Sequence, residues 1–335
     1  MRSPRMFRSS SCSFAFRSFG FRCSGLCCFP LCLLFAALLT ALPAAAQNLT
    51  LEGQTGGFIT PTAYVVESAK GQFFSHPAVG YHFINTAKVI GDIHTFSIAE
   101  GFANRAELGY TRSVHMDGDS AAFSALWHYA GLNVFSGKVV AIKDGWLSPL
   151  TPGLAAGFVV RTGDKFVSGF FDNKSYTNED LYVAATKTWA HPPVPFLVNL
   201  GWKATNGTIY GIGGQSTRFI GRMFGGLGIP LPGPLHTAIV PAAGFTQEPP
   251  NSKNLNAALF PGTSQHIPTT LDYAVRVTQR EHPHFAFDIG VGQVAGQIGY
   301  TVANVAPPGT PPVFVPVPIN LEARHVLGIG LSIRP

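Results

Sequence analysis

The stretch LDYAVRVTQREHPHFAFDIGV, from Leu271 to Val291, alternates apolar and polar residues more regularly than any other part of the chain. Successive side chains of a β-strand point to opposite faces, and both arms of this stretch follow that two-residue period. The apolar face carries Leu271, Tyr273, Val275, Val277, Phe285, Phe287, Ile289 and Val291. The other face mixes charges with alanine, threonine and glycine, which suits a watery lumen. An apolar exterior around a polar interior is typical of a transmembrane β-barrel.

Similar alternation recurs along the chain, with 153–161 and 196–203 as the clearest further examples. The sequence therefore predicts an all-β fold, an antiparallel transmembrane β-barrel of about twelve strands, within a range of about 10–14. The predicted strands are 71–84, 88–99, 105–114, 137–144, 153–162, 181–190, 196–204, 218–229, 235–246, 270–280, 285–295 and 321–333.

Short and long connections alternate between these strands, which predicts short periplasmic turns at one end and long outer loops at the other. The short links are 100–104, 145–152, 191–195, 230–234 and 281–284. The long segments are 115–136, 163–180, 205–217, 246–269 and 296–320. An even number of strands places both the N-terminus and the C-terminus of the barrel on the periplasmic side.

The first 46 residues have the layout of a secretory signal peptide. Five arginines and no acidic residue precede the apolar run Cys28–Leu42, and Ala44–Ala46 follow it. That run has 15 residues, fewer than the roughly 20 that a membrane-spanning helix needs. We expect cleavage after Ala46, an irregular lead-in at 47–70 and a barrel domain at 71–335.

Cleavage changes the chemistry of the chain. All five cysteines lie before residue 47, so disulfides and thiolate metal sites are excluded from the mature protein. Removing five arginines from 23 basic residues leaves 18 against 17 acidic residues, a net charge near +1. A nucleic-acid partner would need a basic patch, which this balance does not supply.

The chain is apolar for an exported protein: over its full length, charged residues make up 12% and the mean hydropathy is +0.21. Later apolar stretches such as 223–245 are interrupted by glycines and prolines, so no later segment reads as a spanning helix. A closed barrel is the remaining way to satisfy a backbone in lipid. This predicts location in the outer membrane, with membrane lipid, lipopolysaccharide and the barrel-assembly machinery as partners.

The lead-in contains GGFITPTAYV at Gly56–Val65, and the strand sequences RAELGYT and LDYAVRV follow it. In these motifs the chain resembles bacterial outer-membrane barrels of the YjbH-like group, which are linked to exopolysaccharide production. The resemblance covers about a tenth of the mature chain. It implies a periplasm-facing N-terminus and a role in polysaccharide export or envelope maintenance.

The segment PPGTPPVFVPVPIN, at 307–320, is dense in proline, which favours extended polyproline structure and opposes sheet pairing. It predicts a surface loop, and the alternative is a strap folded into the lumen.

Chemical motifs are weak throughout. The 11 histidines lack ligand spacing, GLNVFSGK at 131–138 has the wrong glycine spacing for a phosphate loop, and no GxSxG serine motif occurs. We therefore expect no metal site, no cofactor and no catalytic activity.

The candidate functional residues are the charged side chains that strand alternation turns inward. Rings of charge inside a pore decide which solutes enter, although such charges also pair with one another to stabilise a barrel. The predicted pore-lining residues are Arg105, Glu107, Arg161, Lys203, Asp272, Arg276, Asp288, Glu322 and Arg324.

Two functions follow. The first is a narrow outer-membrane channel for small solutes, or an accessory of envelope or exopolysaccharide export. The second is a secreted, soluble β-sandwich binding protein, because sandwich strands also alternate. Packing of Phe285, Phe287 and Ile289 between two sheets would favour the sandwich.

Overall fold

The computed structural model describes residues 48–85, 92–116, 131–163, 176–190, 194–211, 215–250, 269–279, 285–294, 297–320 and 325–334. The predicted signal peptide lies outside these residues. Within the ranges given, no helix is long and apolar enough to cross a membrane.

The strands, in chain order, are β1 (Asn48–Leu49), β2 (Thr55–Gly56), β3 (Ala78–Asn85), β4 (Asp92–Phe102), β5 (Ala106–Met116), β6 (Gly131–Ile142), β7 (Gly153–Gly163), β8 (Tyr176–Trp189), β9 (Phe196–Gly207), β10 (Gln215–Gly228), β11 (Leu231–Pro232), β12 (Thr237–Thr246), β13 (Thr270–Gln279), β14 (Phe285–Val294), β15 (Gln297–Asn304), β16 (Phe314–Asn320) and β17 (His325–Ile333).

Twelve of these strands, β3–β10, β12–β14 and β17, form one closed antiparallel barrel. Each strand pairs with its neighbours in the chain, and β10 pairs with β12 across the short strand β11. The last strand, β17, pairs with the first wall strand, β3, and this pairing closes the ring. The predicted fold class is confirmed, and the sandwich alternative is wrong because a single sheet closes on itself.

The hairpin at Leu271–Val291 falls on β13 and β14. Arg276 lies opposite Asp288 in its register, and Val275 lies opposite Ile289. Phe285 and Ile289 are 39% and 45% exposed, so the apolar stripe faces outward and is not packed between two sheets. Arg276 and Asp288 are buried on the inner side. The two-residue period therefore assigned the two faces correctly.

The two largest differences between predicted and observed strand starts are at β6 and β3. β6 begins at Gly131 and not at 137, because Leu132 and Val134 are buried on the inner side, where a polar stripe was expected. β3 begins at Ala78 and not at 71. The preceding residues contact the wall through an isolated bridge between Phe74 and Phe102, without joining a continuous strand.

The barrel has two unlike ends. The short-turn end carries the connections 103–105, 143–152, 190–195, 229–236 and 280–284. The long-loop end carries 86–91, 117–130, 164–175, 208–214, 247–269 and 295–324. Val79 pairs with Ile333, so the wall begins and finishes at the short-turn end.

The expectation that the proline-rich segment does not pair in a sheet is wrong. β16 pairs with β15 in a separate two-stranded sheet, with Pro316 opposite Val302 and Pro318 opposite Tyr300. Proline was expected to prevent sheet pairing. Two prolines spaced two residues apart can both place their missing N–H groups on the unpaired side of an edge strand, which leaves the other side free to pair. Most of the connecting residues 305–313 are exposed.

Candidate functional site

Six of the predicted pore-lining side chains lie on the inner side of the wall, and each is at most 7% exposed. They are Glu107, Arg161, Lys203, Asp272, Arg276 and Asp288. Their role in lining a pore stays a prediction. Glu322 and Arg324 lie outside the residues that the structure describes.

Arg105 has a different position. It lies in the turn between β4 and β5, at the short-turn end, and is only partly buried. Its guanidinium carbon lies 5.0 Å from the centre of the Trp146 ring. Its Nη1 donates to the carbonyl oxygens of Val140 and Ala141. These contacts tie the turn to the end of β6 and leave Arg105 at the rim, beyond the wall strands.

The lumen contains a segment that the wall strands alone do not predict. Residues 48–68, here called the inner segment, run inside the barrel and are mostly buried. β1 and β2 pair within this segment and form their own two-stranded sheet. Asn48 donates to Asp288 on β14 at 2.6 Å. At the other end, the Ser68 N–H donates to the side-chain oxygen of Asn104, in a turn of the short-turn end.

A cluster of charges holds the tip of the inner segment. The Arg161 Nη2 donates to Glu52 Oε2 and to Asp180 Oδ2, both at 2.8 Å, and Arg161 Nε also contacts Glu52. Lys203 Nζ lies 3.7 Å from the same Asp180 oxygen. Tyr182 donates its hydroxyl to Gln54 Oε1 at 2.7 Å. A bidentate guanidinium–carboxylate pair fixes both distance and orientation.

The returning arm of the inner segment binds a second pair of wall charges. Glu107 accepts the backbone N–H of Thr55 at 2.9 Å and that of Val66 at 2.8 Å. Lys138 Nζ lies 3.4 Å from Glu107 Oε1 and donates to the carbonyl oxygens of Thr55 and Thr62. These wall side chains satisfy backbone groups that an irregular buried segment cannot pair with itself.

A third pair completes the pattern. Arg276 Nε donates to Asp288 Oδ1 at 2.8 Å, and Arg276 Nη1 donates to the carbonyl oxygen of Gly56 at 3.1 Å. Near the short-turn end, the Tyr64 hydroxyl donates to Asp144 Oδ2 at 2.8 Å. Lys187 pairs with the other oxygen of Asp144.

Apolar contacts also hold the inner segment. Its residues Leu51, Phe58 and Ile59 belong to one buried cluster with wall residues that face inward. The wall residues of that cluster are Ile84, Ile93, Leu132, Val134, Val159, Tyr182, Ala184, Phe224 and Ala274. The inner face is therefore polar along one part of its surface and apolar along another.

One feature of the sequence indicates that a segment lies inside the barrel, although strand alternation alone does not reveal it. Leu132 and Val134 fall on the inner side of β6, where an aqueous lumen would not favour them. Such residues indicate that something apolar covers them from inside. The lead-in is the segment that does so.

At the long-loop end, Glu248 joins two connections. It accepts the backbone N–H of Ile209 at 2.9 Å and the hydroxyl of Thr270 at 3.1 Å. Burial raises the pKa of the Glu248 carboxyl above its ordinary value, while the nearby Lys203 acts in the opposite direction. Among the residues that the structure describes, no three His, Cys, Asp or Glu side chains are grouped to hold a metal ion.

Comparisons with known proteins found no matching family and no matching curated protein. Three solved barrel structures are similar in the course of their chains. The KdgM porin has a TM-score of 0.42 at 10% identity, covering 77% of this chain and 99% of its own. The NanC porin in a rhombohedral crystal form has 0.43 at 10%, covering 77% and 100%. The β domain of the Bordetella autotransporter BrkA has 0.38 at 11%, covering 79% and 100%. The fold assignment stands on the strand pairing described above.

Proposed function

We propose that the protein is an integral outer-membrane β-barrel that acts as a narrow channel for small solutes. The observation that carries the proposal is the division of one closed sheet into an apolar outer face and an inner face that holds buried charges. The outer face exposes large side chains such as Phe135, Leu181 and Val183 at 47%, 59% and 53%.

This outer face is a continuous apolar belt, which a monomeric protein in water rarely exposes. In a bilayer, the same belt contacts acyl chains, and the closed sheet pairs the backbone N–H and C=O groups of the wall strands. The proposal includes export by a signal peptide cleaved after Ala46, insertion by the barrel-assembly machinery and contact with lipopolysaccharide. We place the short-turn end in the periplasm.

The buried charges support a channel. Arg161, Lys138 and Arg276 each contact a carboxylate of the wall, so they stabilise the lumen in the observed state. We propose that the same residues, with Glu107, Lys203, Asp272 and Asp288, select solutes when the lumen is open. Glu322, Arg324 and the rim residue Arg105 belong to this proposal as predicted from the sequence.

A role as an accessory of exopolysaccharide export is the second candidate, and it rests on the resemblance of Gly56–Val65 to YjbH-like barrels. The two candidates share the membrane-embedded barrel. They differ in whether the barrel itself carries current.

Fractionation and bilayer recordings test the proposal. The mature protein should remain with outer membranes after a carbonate wash and should migrate differently on unheated and heated gels. In planar bilayers its ion preference should change when Arg276 or Asp288 is neutralised, as in Arg276→Gln. Release into the soluble fraction would reject the membrane barrel. A membrane-bound protein that carries no current even when residues 48–68 are deleted would favour the accessory role.

A further inference from the structure

We propose that the inner segment is a re-entrant plug that keeps the lumen closed and opens the channel by withdrawing toward the short-turn end. This inference rests on the proposed channel function and adds the device that regulates it.

The path of the inner segment makes withdrawal possible. Asn48 contacts Asp288, near the start of β14, and Ser68 contacts Asn104 in the turn before β5, so both ends of the segment lie toward the short-turn end. The tip residue Glu52 reaches Arg161, which lies near the opposite end of β7. A segment that enters and leaves at one end can retract as a unit, without threading through the barrel.

The wall charges are arranged so that they keep partners after the plug leaves. Arg161 retains Asp180 when it loses Glu52, because both carboxylates bind it at the same time. Glu107 likewise retains Lys138. Stranding a buried charge is strongly unfavourable, and a wall partner at each position avoids that penalty.

The same holds for the third pair, in which Arg276 retains Asp288 when it loses the Gly56 carbonyl. All three charged anchors of the plug are thus shared with the wall. A segment that was only a permanent part of the core would not need this second set of partners.

The closed state is nevertheless a close fit. The wall lacks a side chain where the plug approaches most closely: a Cβ on Gly101 would lie 1.8 Å from the carbonyl oxygen of Val66, and one on Gly328 would lie 2.5 Å from the Phe58 ring. Leu51, Phe58 and Ile59 cover the inward-facing apolar residues of the wall. Removing this cover exposes apolar surface to water, which favours the closed state.

Engineered variants of the full mature chain test the plug. The chain from residue 47 onward has no cysteine, so two added cysteines can form a disulfide within the chain only with each other. The Cβ of Ala63 and a Cβ built on Gly153 lie 3.5 Å apart, which matches disulfide geometry. The pair Ala63→Cys with Gly153→Cys locks the plug to β7, and the single variant Ala63→Cys is the matched control.

Glu52→Ala removes the carboxylate that holds the tip of the plug and leaves Arg161 paired with Asp180. In planar bilayers we expect this variant to raise the open fraction of the channel roughly tenfold or more, since it removes a charge-assisted contact. Adding the cysteine pair should abolish these openings under oxidising conditions, and a reductant should restore them. Glu52→Ala combined with the single Ala63→Cys control should open under both oxidising and reducing conditions.

Deleting Leu49–Val66 should give a barrel that is continuously open. Measurable and equal conductance of the intact, Glu52→Ala and deleted proteins would overturn the plug and leave the channel standing. Openings of the oxidised pair as frequent as those of the reduced pair would also overturn it. A deleted barrel that inserts and shifts on unheated gels but carries no current would instead reject the proposed channel function, and the plug with it.

Discussion

Two irregular, glycine- and proline-containing segments of this protein reach opposite outcomes. The inner segment, residues 48–68, is buried in the lumen and is held by side chains of the wall. The segment 297–320 pairs with itself as β15 and β16, and most of its tip is exposed. The difference lies in where their backbone groups find partners. The first segment pairs partly with itself, at β1 and β2, and partly with side chains of the wall, whereas the second pairs within the segment.

An irregular segment can be buried when fixed charges replace the partners that regular structure would supply. Glu107 and Lys138 together take up four such contacts from the backbone of the inner segment. The hairpin β15–β16 needs no such side chains, because its own ladder supplies the partners. Variants that separate the two cases should therefore differ widely in effect.

The largest effect is expected from removing the charge that holds the tip of the inner segment. Arg161→Met leaves Glu52 and Asp180 buried with one cation fewer, so the free energy of unfolding should fall by about 3–5 kcal/mol. Urea titration of the barrel in lipid vesicles measures the change. Arg218→Met, at an exposed arginine of β10, is the control and should shift stability by about 0.5 kcal/mol or less. Equal effects of the two variants would show that the tip is not held by charge.

A smaller loss is expected from crowding the plug against the wall. Gly101→Ala places a methyl group against the backbone of Val66, and overpacking of this kind should reduce the free energy of unfolding by about 1–3 kcal/mol. Gly228→Ala is the matched control, because its nearest contact, the Val240 side chain, lies at an ordinary 3.4 Å. The same titration compares them. If Gly101→Ala is as mild as its control, the inner segment does not sit as tightly as the structure has it.

The smallest effect is expected in the other region. Replacing Pro307–Pro312 by a four-residue Gly/Ser link changes an exposed tip, so the free energy of unfolding should move by about 0.5 kcal/mol or less. The conductance should also stay unchanged, since the lumen is filled by a different segment. A large loss of stability would mean that the tip has contacts in the barrel, and the contrast between the two segments would fail.

Much of the wall could be predicted from local sequence. The strands at 153–163 and 196–207 alternate cleanly, and their predicted starts at 153 and 196 are confirmed. The start of β6 was harder to predict because Leu132 and Val134 face inward and interrupt the expected polar stripe. β15 and β16 were missed because proline was given too much weight against an edge strand.

The same reasoning predicted only part of the candidate site. Alternation placed Glu107, Arg161, Arg276 and Asp288 on the inner side, but it could not supply their partners. Glu52 and Arg161 are separated by 109 positions in the chain. Their contact depends on a closed ring and on a segment folded back into it, and neither is encoded in a window of ten residues.

Local sequence was enough to predict about twelve wall strands and which side of most of them faces outward, because a two-residue period is set by the backbone of each strand alone. The tertiary structure alone decided that residues 48–68 fill the lumen and that three pairs of wall charges hold them. The physical reason is that backbone groups and charges removed from water must find partners, and which partners are within reach is fixed only when the barrel closes.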